Sequence, residues 1–159
     1  VANEIYKLAL LLPQGGEIKE TLVEEHTGIS KDFNSFELLA ALIQKDHLKA
    51  TRIVNYFEAN PKNNPLVLTI SALFKYFLNL LTYHYQKKTT PNAQEMAKLL
   101  GVHPFFMKDY TEGSRVYNAV KCANVISLLR EYDMKSKGVG NANISDGELL
   151  KELVFKIMH

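Results

Sequence analysis

The sequence predicts an all-α protein, and three observations carry that prediction. Nearly every segment repeats its apolar residues with a 3.6-residue period. Strand-like alternation is hard to find, and the only Asp-Gly pair, in "SDGE" at 145–148, reads as a helix start rather than a hairpin turn. Helix start and stop signals recur along the chain. Of the 159 residues, 47% are hydrophobic and 23% charged, which is ordinary for one or two small domains with a real core.

The periodicity places helices at about 1–12, 18–27, 34–44, 46–59, 65–87, 92–100, 104–114, 117–136 and 145–158. The first begins almost at once, with Ile5, Leu8, Ala9 and Leu12 on one face. A start inside an amphipathic helix, without an initiator Met or a cleavable leader, suggests a piece of something longer. Asn34 with Glu37, Asn92 with Glu95, and Ser145 with Glu148 have capping-box spacing. "NNP" at 63–65 puts an Asn cap before a proline whose missing amide needs no partner. Gly101 and Gly138 follow helices where a left-handed residue is required. The domain boundary falls in "GISKDFN", 28–34: residues 1–30 form a small helix–loop–helix, and residues 34–159 carry seven helices that close a bundle. "PQGGE" at 13–17 and "KGVGNANIS" at 137–145 are the loops.

The segment 66–85 is long and apolar enough to span a bilayer, but Lys75 and Asn79 lie near its middle. A central Lys costs about 2.5–3.5 kcal/mol on insertion scales, so a buried helix is the better reading and no membrane is expected. Leu66, Ile70, Leu73, Phe74, Phe77 and Leu81 form its apolar stripe. Tyr76, Tyr83 and Tyr85 are read as off that stripe, where tyrosine suits half-burial or a partner contact.

Catalytic chemistry is not evident. "KGVGNA" lacks the Gly-Lys-Ser/Thr ending of a phosphate loop. The histidines at 26, 47, 84, 103 and 159 have no i,i+4 partner and no metal-binding spacing, so neither a metal nor a cofactor is expected. Cys122, the only cysteine, lies among Ala119, Val125 and Ile126 and reads as buried; one cysteine allows no internal disulfide and suits a reducing cytoplasm. The carboxylates Glu17, Glu20, Glu24 and Glu25 fall on a solvated face rather than opposed across a cleft.

"AKLLGVHPFFMKDYTEGSRVY", 97–117, has the plan of a helix-turn-helix, which raises nucleic-acid binding as an alternative function. A base-reading helix opens with polar side chains, whereas this one opens with Pro104, Phe105, Phe106 and Met107, which belong in a core or a protein interface. A net charge of +2 does not favour binding driven by charge alone.

The order of motifs resembles the delta subunit of the bacterial DNA polymerase III clamp loader. The residues carrying the resemblance are Gly15-Gly16, Val23-Glu24, Phe36 to Ile43, the long apolar helix, "LGVHPF" from Leu100 to Phe105, and Asp133 to Gly138. It covers almost the whole chain. It implies the end of an AAA+ lid domain over 1–30 and a C-terminal helical collar over 34–159. The collar would assemble the loader pentamer with gamma/tau and delta-prime subunits during DNA replication. A clamp-opening N-terminal domain, which engages the sliding clamp, would lie upstream of Val1. It further implies a non-catalytic role and a cytoplasmic location. Lys135 and Lys137 open the loop that such an assembly would turn toward primer-template DNA, so weak phosphate contact is expected there; a helix end stabilised by lysine is the plain structural alternative.

Overall fold

In the computed structural model, residues 33–90, 92–140 and 143–159 are described. The helices expected at 1–12 and 18–27, the Gly15-Gly16 turn and the carboxylates of Glu17 to Glu25 lie outside them. Seven α-helices and no strand occur among the described residues. They are α1 (Ser35–Gln44), α2 (His47–Ala59), α3 (Leu66–Gln86), α4 (Ala93–Leu100), α5 (Met107–Val116), α6 (Ala119–Ser136) and α7 (Asp146–Met158). A 3₁₀ turn, Pro104–Phe106, precedes α5. Residues 35–159 form one compact unit.

The bundle is organised around α3. It packs most extensively along α6, while α2 pairs with α7, α1 lies against α2, and α4 and α5 cover another side of α3. Leu73, Phe77 and Leu80 of α3 are fully inaccessible, so this long apolar helix is the centre of the core.

Several helix ends form as the residues dictate. Ser145 and Glu148 make a full reciprocal capping box at α7. Gly101, at φ 64°, ends α4 in the left-handed region, and the Val102 amide returns to the Ala97 carbonyl at 3.0 Å. Gly138, at φ 87°, does the same after α6, with the Val139 amide on Met134 O at 3.1 Å.

Other ends differ from expectation. Asn92 caps α4 through the Gln94 amide at 2.8 Å, one residue earlier than a box requires. Glu37 pairs with Lys49 of α2. Asn64 does not cap α3: its amide donates to Asn60 O at 3.2 Å, closing the turn after α2, and Pro65 itself is the N-cap. The helix expected from 104 begins as a 3₁₀ turn, because the His103 imidazole accepts the Phe105 amide and holds that turn tight. The helix expected from 117 begins at Ala119, capped by Asn118 on the Lys121 amide, which leaves Tyr117 extended and pointing into the core.

Tyr117 knits three elements together. Its ring meets Phe77 edge-on at 5.1 Å, its hydroxyl donates to Leu42 O of α1 at 3.0 Å, and its carbonyl contacts the His84 imidazole at 2.7 Å. Lys45 covers the same ring at 5.0 Å. That lysine ends α1 at φ 57°, a left-handed conformation that costs a non-glycine residue about 1–2 kcal/mol. In return its ammonium donates to Met158 O at the C-terminal end of α7, where a cation suits the helix dipole.

The inward face of α3 is rotated from the expected stripe. Phe74 is 38% exposed and Leu81 half-buried, whereas Tyr76 and Leu80 are buried. Tyr76 can enter the core because its hydroxyl finds Asp109 O at 3.1 Å. It passes so close to Gly113 that a Cβ there would sit 2.0 Å from its oxygen. Tyr110 stacks on the Tyr76 ring at 5.1 Å and accepts from Asn79, whose amide also donates to Leu100 O.

Candidate interaction surfaces

The chemistry of the described residues points to surfaces rather than a reaction centre. Cys122 is fully buried, its sulfur 3.6 Å from Tyr117 O, and burial pushes its thiol up to about 11, so it is not a nucleophile at neutral pH. His84 and His103 are held by the backbone contacts described above. Among the described residues no group of three or more His, Cys, Asp or Glu is placed to hold a metal ion.

The first surface is a seam on the outside of α3. Val67, Phe74, Leu78 and Tyr85 are all exposed, the last at 71%. At 3.6 residues per turn they fall within roughly 40° of one another around the helix. Ser71 and the half-exposed Leu81 complete the line, giving spacings of 4, 3, 4, 3 and 4 residues. Sequence reasoning assigned Phe74 and Leu81 to the core and missed this line. Its signal was that alternating spacing, which is the signature of a helix that meets another helix.

The second surface is the helix-turn-helix, 93–116. Phe105 is 79% exposed and its ring meets Phe106 edge-on at 5.5 Å, while Met107 turns inward. The aromatic pair therefore belongs to the surface. Its neighbours on α5 alternate in charge: Lys108 lies 3.7 Å from Glu112, and Asp109 is held above its ordinary value by burial and then by Glu112. A helix presenting two phenylalanines and two carboxylates at its start has neither the donors nor the field for base-edge readout. Because Tyr76 and Asn79 bind this unit on their side of α3, it faces a different side from the seam.

The third is the end of α6. Lys135 rests on Glu131 at 2.7 Å and lies 4.5 Å over the Tyr132 ring; hydrogen bonding to Glu131 raises its pKa. Lys137, the C-cap, rests on Asp133 at 2.6 Å. The two lysines thus sit together at the helix end, each on an i,i+4 carboxylate. Gly138 and Gly140, both at positive φ, turn the chain away after them.

Comparison with known proteins decides the family. The family "DNA polymerase III delta subunit, C-terminal domain" matches residues 32–155. The chain belongs to this family. The fold agrees: the Bacillus subtilis DNA clamp loader delta protein (YqeN) superposes with a TM-score of 0.68 over 98% of this chain at 20% sequence identity. At that identity the likeness is one of fold. The chain spans 44% of that protein's length. No curated protein matches the sequence significantly. For a delta C-terminal domain, the three surfaces are the features to be explained.

Proposed function

We propose that this chain is the collar of a clamp-loader delta subunit, a non-catalytic assembly module acting in DNA replication. Residues 1–30 are read as the end of an AAA+ lid and 34–159 as the collar proper. The partners are the other loader subunits, of the gamma/tau and delta-prime types. Contact with the sliding clamp falls to an N-terminal domain upstream of this chain, and the assembly works in the bacterial cytoplasm.

The observation that carries this reading is the pair of exposed apolar surfaces on different sides of α3: the Val67–Tyr85 seam and the Phe105–Phe106 pair. A subunit within a ring has a neighbour on each side and needs two such surfaces. Family membership supports the same assignment. Size-exclusion chromatography with light scattering, on the chain mixed with the other loader subunits of the same organism, tests it. A stoichiometric hetero-oligomer is the expected result, and separate elution of every component contradicts it.

Lys135 and Lys137 are proposed to touch phosphate weakly and in a salt-sensitive way. Their carboxylate partners are exposed i,i+4 neighbours, which a phosphate can displace. The pair Lys135→Ala and Lys137→Ala should lower DNA-dependent clamp loading and make it less sensitive to added salt, because fewer phosphates are then neutralised. Unchanged loading at every salt concentration counts against DNA contact and leaves the lysines as stabilisers of a helix end.

A further inference from the structure

We propose that the outer seam of α3 receives one α-helix of a neighbouring loader subunit, and that this partner helix carries acidic residues beside its own apolar line. The proposal rests on the collar reading and names the surface and the chemistry of its occupant.

The spacing identifies the occupant as a helix. Val67, Ser71, Phe74, Leu78, Leu81 and Tyr85 follow a strict alternation of four and three residues over the length of α3. Side chains so placed interdigitate with those of a second helix crossing at about 20°. A lipid surface or a duplex imposes no such register. Two hydroxyls on this side are already satisfied: that of Ser71 donates to Val67 O at 2.8 Å and that of Thr82 to Leu78 O at 3.0 Å. Covering these two therefore strands no donor, and the Tyr85 hydroxyl lies at the end of the seam, where it can stay in water.

Charge identifies the partner's flanks. Between Glu58 and Glu95 the chain carries Lys62, Lys75, Lys87 and Lys88 and no carboxylate. All four lysines are exposed, and none forms an ion pair with a described residue. Elsewhere Lys49, Lys108, Lys137 and Lys151 each rest on a carboxylate. Among the described residues these lysines have no counter-charge, which a helix with Asp or Glu beside its apolar line supplies.

The same charges argue against a second copy of this chain. Lys75 flanks the middle of the seam, so antiparallel self-pairing would bring the two lysines together, and parallel self-pairing would leave both without a counter-charge among the described residues. Area leads to the same conclusion. The 18-residue rise from Val67 to Tyr85 is about 27 Å, and at a helix width of about 10 Å the seam covers roughly 270 Å². That is about a third of the ~800 Å² per partner that an independent interface uses, so the seam is one contact within a multi-contact assembly.

The test combines two readouts on the full chain mixed with the other loader subunits of the same organism. Leu78→Glu should weaken association about tenfold or more, whereas Leu78→Met should retain it; circular dichroism of both, with Leu78 exposed, should match the unaltered chain. A benzophenone attached through Ser71→Cys should cross-link to a helix with acidic flanks, and the buried Cys122 will not compete for the label. Undiminished association of Leu78→Glu while the unaltered chain assembles overturns the seam and leaves the collar reading intact. Cross-linking to a basic or non-helical segment, to added duplex, or to anionic vesicles also overturns the seam. Failure of the unaltered chain to associate overturns both.

Discussion

The inner and outer faces of α3 are built from nearly the same residue types and do different things. Leu66, Ile70, Leu73, Phe77, Leu80 and His84 run along the inside with spacings of 4, 3, 4, 3 and 4. Val67, Ser71, Phe74, Leu78, Leu81 and Tyr85 repeat that pattern one residue later along the outside. What separates the faces is the treatment of their polar neighbours. Inside, Tyr76, Asn79 and His84 each find a partner on another element. Outside, the Ser71 and Thr82 hydroxyls turn back onto their own helix, and Lys75 forms no ion pair with a described residue. Apolar periodicity marks a face for burial; the hydrogen bonds and charges around it tell whether the chain itself does the burying.

The sharpest way to break that comparison is to truncate one phenylalanine on each face. Phe77→Ala should cost about 3–5 kcal/mol in urea denaturation, because the side chain is fully buried against Tyr117. Phe74→Ala should cost less than about 1 kcal/mol, as surface substitutions do. Equal losses would mean that the outer face is core after all.

Next in size is the close approach of α5 to α3. Gly113→Ala should destabilise by about 1–3 kcal/mol, since the new methyl would meet the Tyr76 oxygen at 2.0 Å inside the core. Adding Tyr76→Phe removes that oxygen and should recover part of the loss, a non-additivity that a double-mutant cycle detects. Strict additivity at 76 and 113 would count against the packing described.

Tyr117→Phe should lose about 0.5–1.5 kcal/mol, the net worth of one buried hydrogen bond, because Leu42 O is left with only the longer bond from the Lys45 amide at 3.3 Å. Thermal denaturation measures this, and a neutral result would mean that Leu42 O finds another donor. The smallest effect concerns the cap of α7. Glu148 is held below the ordinary glutamate value of 4.5, first by the Ser145 amide and then by its hydroxyl. Because the folded-state pKa is the lower one, the cap's contribution is present above pH 4.5 and is lost as pH falls through the folded value. Glu148→Gln should flatten that part of the stability–pH curve, and an unchanged curve would remove Glu148 from the account.

The helix order and several helix ends were legible because local chemistry sets them: the Ser145–Glu148 box, and Gly101 and Gly138 in the left-handed region. The inward face of α3 was not legible. Two interleaved 4-3 patterns of similar hydrophobicity, one residue apart, leave the phase undetermined until α6 packs against one of them. Nor could the role of Tyr117 be read, because it depends on α1 and α3, distant in sequence. Lys45 in the left-handed region was hidden for the same reason, since a long-range bond to Met158 O compensates a conformation its local sequence disfavours. Of the surfaces, the Phe105–Phe106 pair was visible as chemistry unsuited to DNA, and Lys135 and Lys137 as a helix end. The seam is present in the spacing, but from sequence two of its residues, Phe74 and Leu81, are placed in the core and only Tyr85 is set apart as a half-buried or partner-facing residue.

The central claim is that this chain's exposed apolar faces serve assembly rather than nucleic-acid reading. Native mass spectrometry of the chain with the other loader subunits of the same organism, with duplex DNA added as competitor, tests it most directly. The account predicts a defined hetero-oligomer whose population is unchanged by the duplex. A monomer that shifts in mass only when duplex is added would contradict it and return the 93–116 helix-turn-helix to the role of DNA reader.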